Sequence, residues 1–113
     1  MQQLGLNEEE LAIVGECLRA AVEGPFFPKW EFQSLIGWSR AEVHGLADTW
    51  PSPSVAGQDL ADMVVAVLNN LVGYPHGQGA RWSEFISVTR QRVADLLGAI
   101  AERRRREAAE DDA

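Results

Sequence analysis

Apolar residues recur along the chain at helical spacing, and the alternation that makes strands is weak. Leu11, Val14, Leu18 and Val22 form one stripe. Ahead of it stand Asn7 and, three residues on, Glu10, the two partners of a capping box, while Leu6 and Leu11 take the positions of a hydrophobic staple. Glu8 and Glu9 put negative charge where the helix dipole favours it. Gly24 followed by Pro25 ends the pattern, so a first helix is predicted over 8–23.

Gly24-Pro25-Phe26-Phe27-Pro28 reads as a turn with two aromatics. Pro28 suits the first position of a short second helix, about 29–36, closed by Gly37. Ser39 with Glu42, and Trp38 with Val43, repeat the box and the staple at the start of a third helix. That helix runs to about Thr49, because a residue before proline, here Trp50, is pushed out of the α region. Pro51-Ser52-Pro53-Ser54 is a linker. Leu60, Met63, Val64, Val67, Leu68 and Leu71 build a fourth helix, about 58–72, apolar on most sides and therefore central. One of Asn69 and Asn70 is expected to be buried there, bonding the backbone of a neighbouring turn. After the loop Gly73–Gly79, residues 82–87 form a short helix. Thr89 then caps a long last one, with Val88 and Val93 as its staple. The fold class is all-α: a compact bundle of five or six helices in a single domain over 1–113.

A shift of 50 residues lays the second half on the first. Val14 meets Val64, Leu18 meets Leu68, Pro25 meets Pro75, Phe32 meets Trp82 and Ile36 meets Ile86. Ser39-Arg40 meets Thr89-Arg90, Val43 meets Val93 and Leu46 meets Leu96. The halves are 7–50 and 57–100, and 101–113 is a charged helical tail. A duplication accounts for the match; so does the apolar periodicity that any two helices share.

Phe32–Leu46 and Trp82–Leu96 also resemble helix-turn-helix segments over about 15 residues each, with a capped second helix and apolar residues where the two helices meet. Gln33 departs from that pattern, which favours a small residue there. A recognition helix in the first copy would offer Arg40, Glu42, His44 and Asp48, a poor surface for phosphates. The second would offer Arg90, Gln91 and Arg92, which suit a major groove, with Arg81 and Arg103–Arg106 for backbone contacts. The alternative is that both segments are packing elements. Glu102 with Arg106, Arg103 with Glu107 and Arg106 with Glu110 would then be ion pairs on a solvated helix.

Charge weighs on that choice. The chain has 113 residues with 10 basic and 17 acidic groups, a net charge of −7. A protein that coats nucleic acid non-specifically needs the opposite balance. Residues 1–56 account for −5 of it, so the acidity lies in the first half. Nucleic acid is accordingly disfavoured as a partner, and a basic protein is favoured.

Chemistry is sparse. With one cysteine, Cys17, there is no internal disulfide and no cysteine-based zinc cluster, and Cys17 beside the apolar stripe is expected to be buried and inert. His44 and Asp48 share a helix face, but no third ligand accompanies them. Gly73–Gly79 lacks the Lys-Ser/Thr ending of a phosphate loop. Tyr74 and His76 would matter only if they lined a pocket, as in an enzyme or ligand carrier. The expectation is therefore no catalytic residues, no metal and no cofactor. No basic-then-apolar leader opens the chain, and its longest apolar run, Met63–Leu68, is too short to cross a bilayer, so a cytoplasmic location is expected.

The aromatics carry the functional expectation. Phe26 and Phe27 are adjacent in a turn, where both cannot easily point inward. One of them, exposed beside Trp30, would anchor a protein partner. The expected function is a non-catalytic cytoplasmic interaction or regulatory module that uses Phe26, Phe27 and Trp30. The alternative is a small helix-turn-helix DNA-binding regulator that uses Arg90, Gln91 and Arg92. A homodimer fits either.

Gly24-Pro25-Phe26-Phe27-Pro28-Lys29-Trp30-Glu31-Phe32, with Leu68-Asn69-Asn70-Leu71 and Gly73-Tyr74-Pro75-His76-Gly77, resembles a family of small, uncharacterised all-helical actinomycete proteins over residues 8–100. The resemblance implies an all-helical fold and brings no activity and no site residue.

Overall fold

Short-range caps fix where the helices begin. Asn7 accepts a hydrogen bond from the Glu10 amide at 2.8 Å, and the Glu10 carboxylate accepts from the Asn7 amide at 3.0 Å. Helix α1 (Glu8–Glu23) starts on that box. Ser39 and Glu42 exchange the same pair of bonds at the start of α3 (Arg40–Thr49). Thr89 accepts from the Arg92 amide at 3.1 Å and caps α6 (Arg90–Asp112). Between these lie α2 (Phe32–Ile36), α4 (Gly57–Gly73) and α5 (Trp82–Phe85), the last entered through a 3₁₀ turn, Gly79–Arg81. The computed structural model describes residues 5–52 and 57–112, apart from the side chains of 57, 58 and 108–112. Among the described residues there are six α-helices and no strand. Pro53 and Ser54 of the expected linker, and the Glu110 partner of Arg106, lie outside this description.

Two short helices differ from expectation. The second begins at Phe32 rather than near Lys29, because the Glu31 amide donates to the Pro28 carbonyl at 3.1 Å and closes a separate turn first. The fifth ends at Phe85 rather than Ser87. In the first half Gly37 leaves α2 at φ 91°, a conformation open to glycine. Ser87 holds the equivalent place, and the chain instead leaves α5 through an extended Ile86 at φ −126°, ψ 123°.

Several contacts of the first half recur at the matching positions of the second. Helices α1 and α4 cross at the centre, where Val14, Leu18, Val64 and Leu68 are fully buried. Helix α1 packs on α3 of its own half and on α5 of the other, and α4 packs on α6 and on α2. Exchanging the halves leaves this list unchanged. Phe26 and His76 are 50 positions apart and meet each other edge to face, with ring centres 4.9 Å apart. Arg40 donates to the carbonyl of Val22, and Arg90 to the carbonyl of Val72. The last turns of α1 and α4 contain no basic residue of their own. The arginine that opens the third helix of each half therefore satisfies a terminal carbonyl of the first. These matched contacts are specific, whereas shared periodicity alone would align only apolar positions.

Polar links between the halves are not matched. Asn70 donates to the Leu35 carbonyl at 3.0 Å and to Ala66 at 2.8 Å, the bonding expected of one of the two asparagines. The Glu16 carboxylate accepts from the Ser87 amide at 2.6 Å and from its hydroxyl at 2.9 Å.

Gly24 is needed for close approach rather than for its dihedral angle. A β-carbon there would stand 2.6 Å from the Ala20 carbonyl oxygen and 3.0 Å from the Phe26 ring. Gly24→Ala should destabilise the fold by roughly 1–3 kcal/mol, the usual cost of overpacking. Denaturant unfolding should show the loss as a lower midpoint at unchanged slope.

Candidate functional site

The loop between α1 and α2 holds the aromatics on which partner binding was expected to rest. Phe26 is 1% exposed and Phe27 4%. Both point inward, which corrects the expectation that one of them faces solvent. The chain bends through Gly24–Phe27, and both rings are covered. Phe26 meets His76, Trp82 and Phe85 edge to face. Phe27 meets Phe32 and Tyr74. Phe26 packs on rings of the second half and Phe27 on one ring of each half, so both add to the core. Trp30, three residues on, is 80% exposed and is the exposed large hydrophobic side chain of the described residues. Lys29 beside it is exposed as well.

Tyr74 and His76 bond to different partners. The Tyr74 hydroxyl donates to the Glu31 carboxylate at 2.7 Å. That bond, with some burial and the carboxylate charge, raises its pKa above the usual 10. His76 has partners at both ring nitrogens: Nδ1 accepts from the Gln78 amide at 3.0 Å, and Nε2 lies 3.2 Å from the Leu71 carbonyl. An amide needs an acceptor and a carbonyl needs a donor, so the neutral ring protonated at Nε2 fits both. Each group thus bridges segments of the fold.

Arg90, Gln91 and Arg92 sit together in the first turn of α6, and each has an internal partner. Arg90 holds the Val72 carbonyl, Gln91 donates to Asp95 at 2.8 Å, and Arg92 reaches Glu9 at 3.4 Å. In the first copy of the pattern, Arg40 binds the Val22 and Phe27 carbonyls and lies 5.0 Å from the centre of the Phe32 ring. His44 and Arg19 flank Asp48 at 3.0 and 2.8 Å. The hydrogen bond from Arg19 is the largest influence holding that carboxyl below the usual range, and His44 adds to it. Farther along α6, Arg106 pairs with Glu102 as expected, whereas Arg103 turns to the Gly5 carbonyl and to Glu10.

The acidity of the first half is mostly engaged internally. Glu9, Glu10, Glu16, Glu23, Glu31, Glu42 and Asp48 each have a hydrogen bond or ion pair within the chain. Glu8 has none among the described residues, and it borders a groove of about 400 Å³ with Leu11, Ala12, Gly15, Trp50 and Pro51. The Trp50 indole donates to the Leu11 carbonyl at 2.8 Å. A β-carbon on Gly15 would stand 3.0 Å from the indole, so the glycine lets the ring lie against α1. This groove is not visible from sequence patterns alone. Its signals there are a glycine on a helix face and a Trp-Pro pair ending another helix, which become a site only when the two helices meet.

Cys17 is fully buried, and desolvation, with the Glu16 charge adding to it, pushes its thiol up to about 12. Among the described residues, no group of three His, Cys, Asp or Glu side chains is placed to hold a metal ion. None of their helices is long and apolar enough to cross a membrane. No protein-family model matches the chain, and neither a curated protein nor a solved structure is similar to it.

Two titrations follow from these environments. There is one tyrosine in the chain, so ultraviolet phenolate absorbance reports Tyr74 alone. Its midpoint should lie above 10 and fall back toward that value in Glu31→Gln. Cys17 should resist a thiol reagent at pH 8 until the chain is unfolded. The unfolded thiol ionises first, near 9, while the folded one holds its proton to about 12. The unfolded chain therefore binds fewer protons in between, and stability falls as pH rises through that window. Cys17→Ala should flatten this alkaline slope in denaturant melts.

Proposed function

We propose that the protein is a non-catalytic interaction module of the cytoplasm that binds another protein through Trp30. The exposure of Trp30 carries this reading. Surface tryptophan is costly to leave in water and is the commonest kind of binding anchor, since it buries a large rigid area with little loss of freedom. Phe26 and Phe27 support the loop from below, as core residues, and so hold Trp30 outward. The bonds of Tyr74 to Glu31 and of His76 to Gln78 and Leu71 support a structural role for both side chains. The internal partners of Arg90, Gln91 and Arg92 favour protein over DNA, because those groups would have to release the Val72 carbonyl, Asp95 and Glu9 to reach a groove.

Trp30→Ala should leave stability within about 0.5 kcal/mol, as exposed substitutions do, while partner affinity falls by about 2 kcal/mol or more, as at a binding anchor. The check is an affinity pull-down with both proteins side by side. A specific protein should come down with the wild type and be lost with Trp30→Ala. Equal recovery by both would overturn the reading. A gel shift at low salt that disappears in Arg90→Ala with Arg92→Ala would replace it with the DNA-binding one.

A further inference from the structure

The match between the halves ends at the outer ends of the third helices. Helix α6 runs 23 residues, and α3, its counterpart, runs 10. On α4, α6 continues past the fully buried Ile100, and Arg104 reaches Asp62 at 2.8 Å. Asp62 lies on the face of α4 that also bears Ala61 and Val65. Their counterparts on α1 are Leu11, Ala12 and Gly15, and Trp50 stands at the place of Ile100. In the first half the helix stops at Thr49 and Pro51 follows, so among the described residues no further helical turn covers that strip of α1. The groove of about 400 Å³ is what remains. Its rim has the Glu8 carboxylate, the acidic group of the first half without a partner among the described residues.

We propose that this groove receives a helix of a partner protein, one with arginine or lysine beside an apolar edge. It would seat on α1 as the distal turns of α6 seat on α4. The second half supplies the template for a helix in this position, and Glu8 supplies the complementary charge. Trp30 lies beyond the opposite end of α1, so this site stands apart from the Trp30 anchor.

The test uses the whole protein and a labelled peptide, Leu-Leu-Gly-Ala-Ile-Ala-Glu-Arg-Arg-Arg-Arg-Glu, with both ends blocked. It reproduces residues 96–107 of the chain, the segment that occupies the counterpart position. Fluorescence anisotropy should show saturable binding. Ala12 is exposed, so Ala12→Arg should fold as the wild type does by circular dichroism and weaken binding by about tenfold or more, the effect of roughly 1.4 kcal/mol. Glu8→Gln should weaken it severalfold, and Trp30→Ala should leave it unchanged. No saturation up to about 1 mM protein, a range that reaches even weak affinities, would overturn the proposal. So would binding that Ala12→Arg does not alter, or equal binding of a peptide with glutamine in place of its arginines. Sedimentation of the wild type as a dimer that Ala12→Arg dissociates would overturn it in favour of a second copy as the occupant.

Discussion

An arginine at the first position of a helix faces the positive end of that helix's own dipole. The protein accepts this twice, at Arg40 and Arg90, and in both places the guanidinium reaches the last turn of the preceding long helix. Terminal carbonyls buried without a partner are costly, and neither α1 nor α4 has a basic residue in its last turn. The contact therefore fixes more than one helix end. It sets the angle at which the third helix of each half returns, and the short aromatic helix is held in the space between. In the first half Arg40 also lies over Phe32, so the same side chain braces the second helix.

Around these two clamps the central apolar contacts are matched between the halves, whereas the polar links between them are not. Val14 and Leu18 face their counterparts' surroundings with equal burial. Asn70 and Glu16, by contrast, have no polar counterpart at Ala20 and Ala66. Apolar packing tolerates exchange of similar residues, whereas a half-buried amide or a carboxylate on a backbone N–H accepts one geometry. The unmatched links thus tell the two halves apart. The most exposed feature, Trp30, and the groove beside Trp50 both belong to the first half. There α3 is short, and residues beyond Thr49 leave the helix.

Local signals made much of this fold legible. Asn7 with Glu10 and Ser39 with Glu42 span three residues, and such pairs act the same way in any surroundings. The paired lengths of the halves were legible for the same reason, as positions along one chain. Phe26 and Phe27 were not, because whether two neighbouring rings can both be buried depends on what lies on either side of the loop. The loop proved to run between the halves. Glu16 with Ser87 and Arg92 with Glu9 join residues far apart in sequence, and nothing in the spacing of either residue marks its partner. The contact of Arg90 with the Val72 carbonyl was hidden for a related reason. A basic residue at the start of a helix reads as a groove reader until the carbonyl beside it is seen.

Each long helix takes one neighbour from its own half and one from the other. Removing α5 would uncover α1, and removing α2 would uncover α4, so neither half retains a closed core when the other opens. A duplicated chain of separate units could lose them one at a time. Here the crossed neighbours give the two halves one shared core.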